Sequence, residues 1–435
     1  MPVEDIRIGV VGLWHLGCVL SAVWSKMGFE VIGFDYSKDL IDRLNQNKPP
    51  IFEPKLVETL ASSIKTDKLK YTNEIKELRH CDFVFLAYDT PVLDNDESDV
   101  TLLQKSIHDL GNILKNGTII IVSSQTPVGM CYKFREDVQK KNSTLELVYS
   151  PENLRLGEAI ECYLKPERII LGVESECARA KSIVLFSKIQ AEIITMSMAS
   201  AEMVKHAINA FLANSIVFTN QLADLCEVSG ANILEVIKGM KTDVRIGKKA
   251  YLSPGIGFSG GTLGRDLRVL NKLNKASGQK SFLFEVITNL NSERKNLVVN
   301  KVIHLLGGEL LNKTIAVLGI TYKPGTSTLR RSLPLEIVRM LSQKGAQIKV
   351  YDPKANYDEL EEKPSFQVCC SIDDAILGSS LILLLTEWAE FNDYDWEGNA
   401  TLVKGKMILD TKNSLCNLGL AQKGYSYYGI GFKNG

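Results

Sequence analysis

Residues 6–17 read IRIGVVGLWHLG, and residues 29–35 read FEVIGFD. A short apolar run, a glycine-bearing turn, an amphipathic stretch and a second apolar run closing on an acid form the opening of a βαβ unit. A dinucleotide site on such a unit wants Gly-x-Gly-x-x-Gly in the turn, and an acid about 20 residues later for the ribose hydroxyls. The turn here, Gly12-Leu13-Trp14-His15-Leu16-Gly17, keeps the first and third glycines and carries Trp14 in place of the middle one. That glycine normally lets a pyrophosphate approach the backbone, so the indole must turn away or change how the cofactor lies. Asp35 stands where it would bind both ribose hydroxyls and repel a 2′-phosphate, which favours NAD.

Outward from this unit the alternation continues. DFVFLAYD, TIIIVSS and LELVYS complete five strand candidates within the first 150 residues. From about Ser197 to Gly239 the pattern changes: apolar residues recur at helical spacing without proline, predicting a long helix and then a shorter one. A loop follows, DVRIGKKAYLSPGIGFSGGTLGRD, with glycine at 247, 255, 257, 260, 261 and 264. Such a density of glycine lets backbone crowd against a neighbour. KTIAVLGITYKPGT then opens a second alternating block, with IKVYDP, LILLLTEW and KMILDTKN as later strands. IAVLGITYKPG…IKVYD repeats, weakly, IGVVGLWHLG…VIGFD. The expected class is α/β: two Rossmann-like doubly wound domains, residues 1–196 and 301–435, joined by a long helix and a helical central domain over 197–300.

The 435 residues are too many for one ordinary core. Lysine plus arginine and aspartate plus glutamate each number 51, so bulk charge points to neither nucleic acid nor an anionic membrane. No apolar stretch reaches the roughly 18 residues that span a bilayer, and the acidic start MPVEDIRIGVVG is unlike a signal peptide. The nine cysteines form no Cys-x-x-Cys pair, which speaks against zinc and for a reducing compartment, the cytoplasm by default.

Further motifs, in order along nearly the whole chain, resemble those of the UDP-glucose/GDP-mannose dehydrogenase family. Glu53-Pro54 with Leu56 is similar to the family's EPGL, and Thr90-Pro91 followed by Asp99 to its TP…D. Ser150-Pro151-Glu152-Asn153-Leu154-Arg155 is similar to NPEFLREG, and Ala201-Glu202…Lys205…Asn209-Ala210-Phe211-Leu212-Ala213 to AELxKLxxNAFLA. Asp243-Val244-Arg245-Ile246-Gly247 is similar to DxRIG, and Tyr322-Lys323-Pro324…Arg330-Arg331-Ser332 to FKPxTDDxRES. Thr386-Glu387-Trp388 and Asp410-Thr411-Lys412-Asn413 echo TEW and DxRN.

Oxidising a primary alcohol needs a base, a hydride acceptor and a stabiliser for the oxyanion. Lys205 and Asn209, four residues apart, share one helix face, and an ammonium beside an amide donor suits an oxyanion. The resemblance adds Glu152 as acid/base and Asp266 as the group that orients water or the base. It places the cofactor against Gly12, Trp14, His15, Leu16, Gly17, Asp35, Thr90, Gln125 and Arg330. It places the sugar nucleotide against Glu152, Leu154, Arg155, Lys205, Asn209, Arg245, Tyr251, Gly257 and Lys323, with residues 301–435 as the UDP-binding domain. In the family the DxRIG arginine reaches the neighbouring subunit's substrate, which implies a homodimer built on the long helix.

The family oxidises twice, through a cysteine in GFGGSCFPKD. Here that loop reads GFSGGTLGRD, residues 257–266, which puts Thr262 at the cysteine and Arg265 at the lysine. No cysteine occurs between Cys226 and Cys369, so a slip of one residue cannot restore it. A thiol with pKa near 8.5 is partly ionised at neutral pH, whereas an alcohol needs an adjacent base. Gln125 stands at a catalytic threonine position and Lys412 at a cofactor-side arginine. The expected function is NAD-dependent oxidation of a nucleotide-diphosphate sugar at C6, toward polysaccharide or glycoconjugate precursors. Its end product (aldehyde, ketone or uronate) is left open, and the second oxidation is in doubt. Beside it stand an epimerase that recycles its NAD and a catalytically silent sugar-nucleotide binder. Retention of Glu152, Lys205, Asn209 and Asp266 argues against the last.

Overall fold

The computed structural model describes residues 6–90, 99–151, 154, 157–278, 282–360 and 362–432. The chain divides into two units, Met1–Ala207 and Ile208–Gly435.

The first unit is built on eight strands: β1 (Arg7–Val11), β2 (Glu30–Phe34), β3 (Leu69–Thr72), β4 (Phe83–Leu86), β5 (Ile119–Val122), β6 (Glu146–Tyr149), β7 (Arg168–Gly172) and β8 (Glu192–Met196). Their order is β3-β2-β1-β4-β5-β6-β7-β8. Neighbours run parallel except β6 and β7, which meet antiparallel at Tyr149 and Gly172. The central strands FVFL and IIIV are buried along their whole length, as a sheet covered on both faces requires. Strands β3, β7 and β8 lie beyond the five read from the sequence. β3 and β8 are edge strands, LKYT and EIITM, whose polar residues break the apolar run that marks a central strand. The helix His15–Lys26 is buried along nearly all its length. Its Trp24 packs edge-on to Phe29 and Phe186 and tilts over Phe85, which pins the helix to the sheet.

The helix Met198–Ser229 begins in the first unit and continues into the second; the shorter helix Ile233–Met240 follows, as the apolar periodicity predicts. The second unit then carries the helices Thr262–Ala276 and Leu283–Leu305. Its sheet comprises β9 (Thr314–Leu318), β10 (Gln347–Tyr351), β11 (Gln367–Val368), β12 (Leu381–Leu384), β13 (Met407–Asp410) and β14 (Ser426–Tyr428), ordered β11-β10-β9-β12-β13-β14. With the first six strands of the other sheet it shares the 3-2-1-4-5-6 order of a dinucleotide fold. The weak repeat in the sequence is therefore a repeat of topology. The two acids after the second strand of each block differ in use, however. Asp352 is buried and accepts from the backbone N–H groups of Ile320 and Thr321, the Thr321 hydroxyl and the Trp388 indole N–H. It is an internal brace for the β9 turn.

Candidate active site

In the first unit the glycine turn has the geometry its residues demand. Gly12 has φ +90°, and a Cβ there would lie 2.7 Å from the Tyr88 ring. A Cβ on Gly17 would lie 1.8 Å from the Gly12 carbonyl oxygen, so no side chain fits while the turn keeps this shape. Trp14 is the N-cap of the following helix; its side chain is 46% exposed, turned outward as its bulk requires, and makes no capping bond. The first turn itself holds no acidic residue, so no side chain within it neutralises the positive end of the helix. Such an end suits a diphosphate, and the turn fits NAD. His15 and Leu16 open the helix, and Leu16 packs into the core.

Asp35 accepts from the backbone N–H of Leu13 at 2.9 Å and of Ser37 at 3.0 Å, one donor per oxygen. A carboxylate oxygen takes two donors, so each retains a lone pair for a ribose hydroxyl. Thr90 is buried and donates its hydroxyl to the Gln125 carbonyl at 2.8 Å, which ties together the ends of two loops that follow β4 and β5.

Two buried acids of this unit lay within motifs but carried no assigned role. Glu202 is fully buried and accepts from the Thr126 hydroxyl (3.0 Å) and the backbone N–H groups of Gly129 (2.6 Å) and Cys131 (3.0 Å). It joins the long helix to the loop after β5. Glu53 accepts from the backbone N–H groups of Gly157 and Ala159, and the His15 ring nitrogen Nε2 lies 2.9 Å from its Oε2. An acid opening an apolar helical pattern was the only hint either gave.

Lys205, half-buried, and Asn209, buried, stand one turn apart on the helix Met198–Ser229. In the second unit Asn209 Nδ2 donates to Oδ2 of Asp266, which is fully buried in the helix Thr262–Ala276. A buried carboxylate needs donors, and this bond fixes the plane of the amide. Thr262 is the first residue of that helix, exposed, with Gly261 as N-cap. Arg265 Nε is 3.9 Å from Asp266.

The glycine loop before Thr262 is held by polar groups that sequence reasoning missed. Asn291 brackets Phe258, accepting its N–H at 2.8 Å and donating to its carbonyl at 2.9 Å. A Cβ on Gly257, at φ +99°, would meet Asn291 Oδ1 at 2.5 Å. Asn220 accepts the Gly255 N–H, and the buried Arg294, paired with Asp224, donates to the Gly255 carbonyl. The available signal was spacing: Asn220 and Asp224, and Asn291 and Arg294, are polar pairs at helical intervals on otherwise apolar faces.

The cations spread more widely. Arg245 is exposed and grips the Asp243 carboxylate with Nε and Nη2, a pairing inside its own motif. Tyr251 is exposed, Arg330 is exposed, and Lys323 Nζ lies 5.8 Å from the Tyr322 ring centroid. Leu154 packs partly buried against the first unit's core. Glu152 and Arg155 lie outside the described residues. Among the described residues there is no group of three or more potential metal ligands.

Three parts of the sequence match the UDP-glucose/GDP-mannose dehydrogenase family: its NAD binding domain at residues 6–190, its central domain at 199–293 and its UDP binding domain at 316–417. The chain is 32% identical over 432 residues to a UDP-glucose 6-dehydrogenase of Rickettsia conorii, covering 98% of this chain and 100% of that one. A UDP-glucose 6-dehydrogenase of Bacillus subtilis is also 32% identical, covering 98% of this chain and 93% of that one. Among solved structures, a UDP-glucose dehydrogenase from Pyrobaculum islandicum superposes with a TM-score of 0.89 at 24% identity, covering 99% of both chains. The UDP-N-acetyl-mannosamine dehydrogenase of Staphylococcus aureus gives 0.80 at 25% identity, covering 98% of both.

Proposed function

The chain belongs to the UDP-glucose/GDP-mannose dehydrogenase family, and from that premise we propose that it oxidises the C6 alcohol of a nucleotide-diphosphate sugar, with UDP-glucose the first candidate, and releases the aldehyde. NAD, when bound, accepts the hydride. The alcohol thereby loses a hydride and a proton, giving one aldehyde, one NADH and one proton.

The observation that carries this reading is the buried Asn209–Asp266 pair, with Asp266 one turn into the helix that Thr262 opens after the glycine loop. Asp266 holds the Asn209 amide so that it can donate to the oxygen on which charge develops. Lys205, one turn earlier on the same helix, supplies the cation. Glu152 takes the hydroxyl proton. The start of the helix Thr262–Ala276 lends its partial positive charge to an oxyanion near Thr262 but does not make the hydroxyl a thiolate. The second oxidation, which the family performs through a thiol, therefore lacks its covalent partner. The supply of NAD and nine free cysteines support a reducing compartment, the cytoplasm, for the activity. Its product would serve polysaccharide assembly.

Incubation with NAD and a panel of nucleotide sugars tests the proposal. One NADH per sugar is expected, with an aldehyde identified by mass. Thr262→Ala should retain most of that rate, and Thr262→Cys should move the yield toward two. Two NADH per sugar in the wild type, an inactive Thr262→Ala and an ester adduct on intact protein would overturn the reading of this loop.

A further inference from the structure

At the amino ends of β1, β2 and β3 the first unit carries a groove of about 620 Å³, within the size range of small-molecule sites. It lies at the far end of these strands from the dinucleotide turn: Gly12 follows the strand that Arg7 opens, and Asp35 the strand that Glu30 opens. Its cause is a short crossover. Arg7 pairs with Glu30, Gly9 with Ile32 and Ile32 with Lys70, so Arg7, Glu30, Ile32 and Lys70 share one face of the sheet. Between β3 and β4 the chain crosses that face as the 3-10 helix Ile75–His80, whose Leu78 lies 3.0 Å from where a Cβ on Gly9 would be. Six residues packed so closely over β1 do not reach across β2 and β3, and the corner stays open. The chain as a whole has 51 residues of each sign, but the groove is not balanced. Glu30 is taken by Arg7 at 2.8 Å, and Glu77 by Lys70, with the Thr72 hydroxyl donating to Glu77 at 3.1 Å. That leaves Lys68, Lys76 and Arg79 against the single acid Asp67, and none of the four has an ion pair among the described residues. Arg79 Nε donates to His80 Nε2 at 2.9 Å, so the guanidinium keeps its Nη groups as a fork and Nδ1 becomes the imidazole's donor.

We propose that this groove is a second anion site, separate from the cofactor's, which binds the diphosphate group of a small molecule. The Arg79 fork matches two oxygens of one phosphate, and Lys68 and Lys76 supply point charges for the next. A single carboxylate would satisfy the fork and leave both lysines unpaired, whereas a diphosphate carries charge enough for all three cations. Ile32 and the lysine stems give an organic part of the ligand an apolar wall to lie against. The diphosphate is either inorganic or that of a nucleotide, and both present the same group to the fork. The site is independent of the reaction proposed above.

Calorimetry of the full chain tests it, with inorganic diphosphate and with ADP as probes and with NAD and UDP both saturating, so that neither probe reports on the sites for those ligands. One probe per chain should bind, more weakly as salt is raised. Lys76→Glu combined with Arg79→Glu should weaken that binding at least about tenfold, the worth of one charged hydrogen bond. Arg79→Lys, which keeps the charge and loses the fork, should fall between that variant and the wild type. NAD itself should bind the variants within about twofold of wild type, which checks that the unit is folded. If the charge reversals disturb the fold, the neutral pair Lys76→Gln and Arg79→Gln decides the matter by the same loss. Equal affinity for both probes assigns the site to the diphosphate alone, and a tighter ADP assigns it to a nucleotide. No binding of either probe, or binding unchanged in the folded variants, overturns the proposal and leaves the dehydrogenase reading untouched.

Discussion

Lys55 occupies the glycine of the family's EPGL motif and still adopts the conformation a glycine would, with φ +64°. A left-handed L-residue costs roughly 1–2 kcal/mol, partly offset by the lower chain entropy it loses on folding. Its ion pair with Glu161 joins two exposed groups and contributes little. Lys55→Gly should therefore raise stability by about 0.5–1 kcal/mol, seen as a higher urea midpoint with an unchanged slope. A lower midpoint would show that the ion pair outweighs the backbone strain. The same reasoning separates Gly12 and Gly17, whose missing Cβ atoms would strike a ring and a carbonyl, from glycines that face open space. Thr262 shows the opposite limit: its position was legible from the loop, but nothing local turns an alcohol into a thiol.

At the scale of elements, the helix Met198–Ser229 leaves Phe211, Phe218 and Leu225 at 69%, 47% and 64% exposure. They recur every seven residues, which keeps them on one face, and a stripe of this kind marks an interaction surface. It supports the homodimer that the family resemblance implies, in which Arg245 would reach the partner's site. Phe218→Glu should leave the fold intact and weaken dimerisation at least about tenfold, measured by light scattering over a dilution series. A wild-type protein that is monomeric and active at working concentration would sink the dimer. The glycine loop is the second lesson at this scale. Its flexibility was readable from composition, whereas the Asn220, Asn291 and Arg294 bonds that immobilise it come from two helices far away in sequence.

Across the whole molecule, burial holds several acids neutral that would ionise in an unfolded chain. Burial, and then the Asp35 carboxylate, push the Cys18 thiol from 9.0 up to about 12. Burial, and then Asp82, do the same for Cys81. Burial chiefly, with Asp109 adding to it, raises the Tyr36 hydroxyl from 10.0 to about 12. A folded pKa above the unfolded one gives stability that is complete below the unfolded value and lost as pH climbs through the folded value. Stability should thus fall across the window from 9.0 to about 12. Urea midpoints measured through that window should drop with rising pH, and less steeply in Cys18→Ala. A flat profile would show that these groups are not buried as described.

The sequence by itself determined the two α/β blocks, the long helix between them and the family. These follow from local periodicity, turn glycines and ordered motifs, which act over a few residues and survive in any reading of the chain. It also located the glycine turn and Asp35, because steric demand on a backbone is written in the residue that meets it. Tertiary structure alone decided which acids are bound and to what. Asp35 and Asp352 follow equivalent strands, yet Asp352 takes six donors inside its own unit and Asp35 only two. Asp266 lies 57 residues from the Asn209 it holds, and Glu53 lies 104 from Gly157. A hydrogen bond depends on a separation of about 3 Å in space, and no pattern along the chain encodes that distance for residues so far apart.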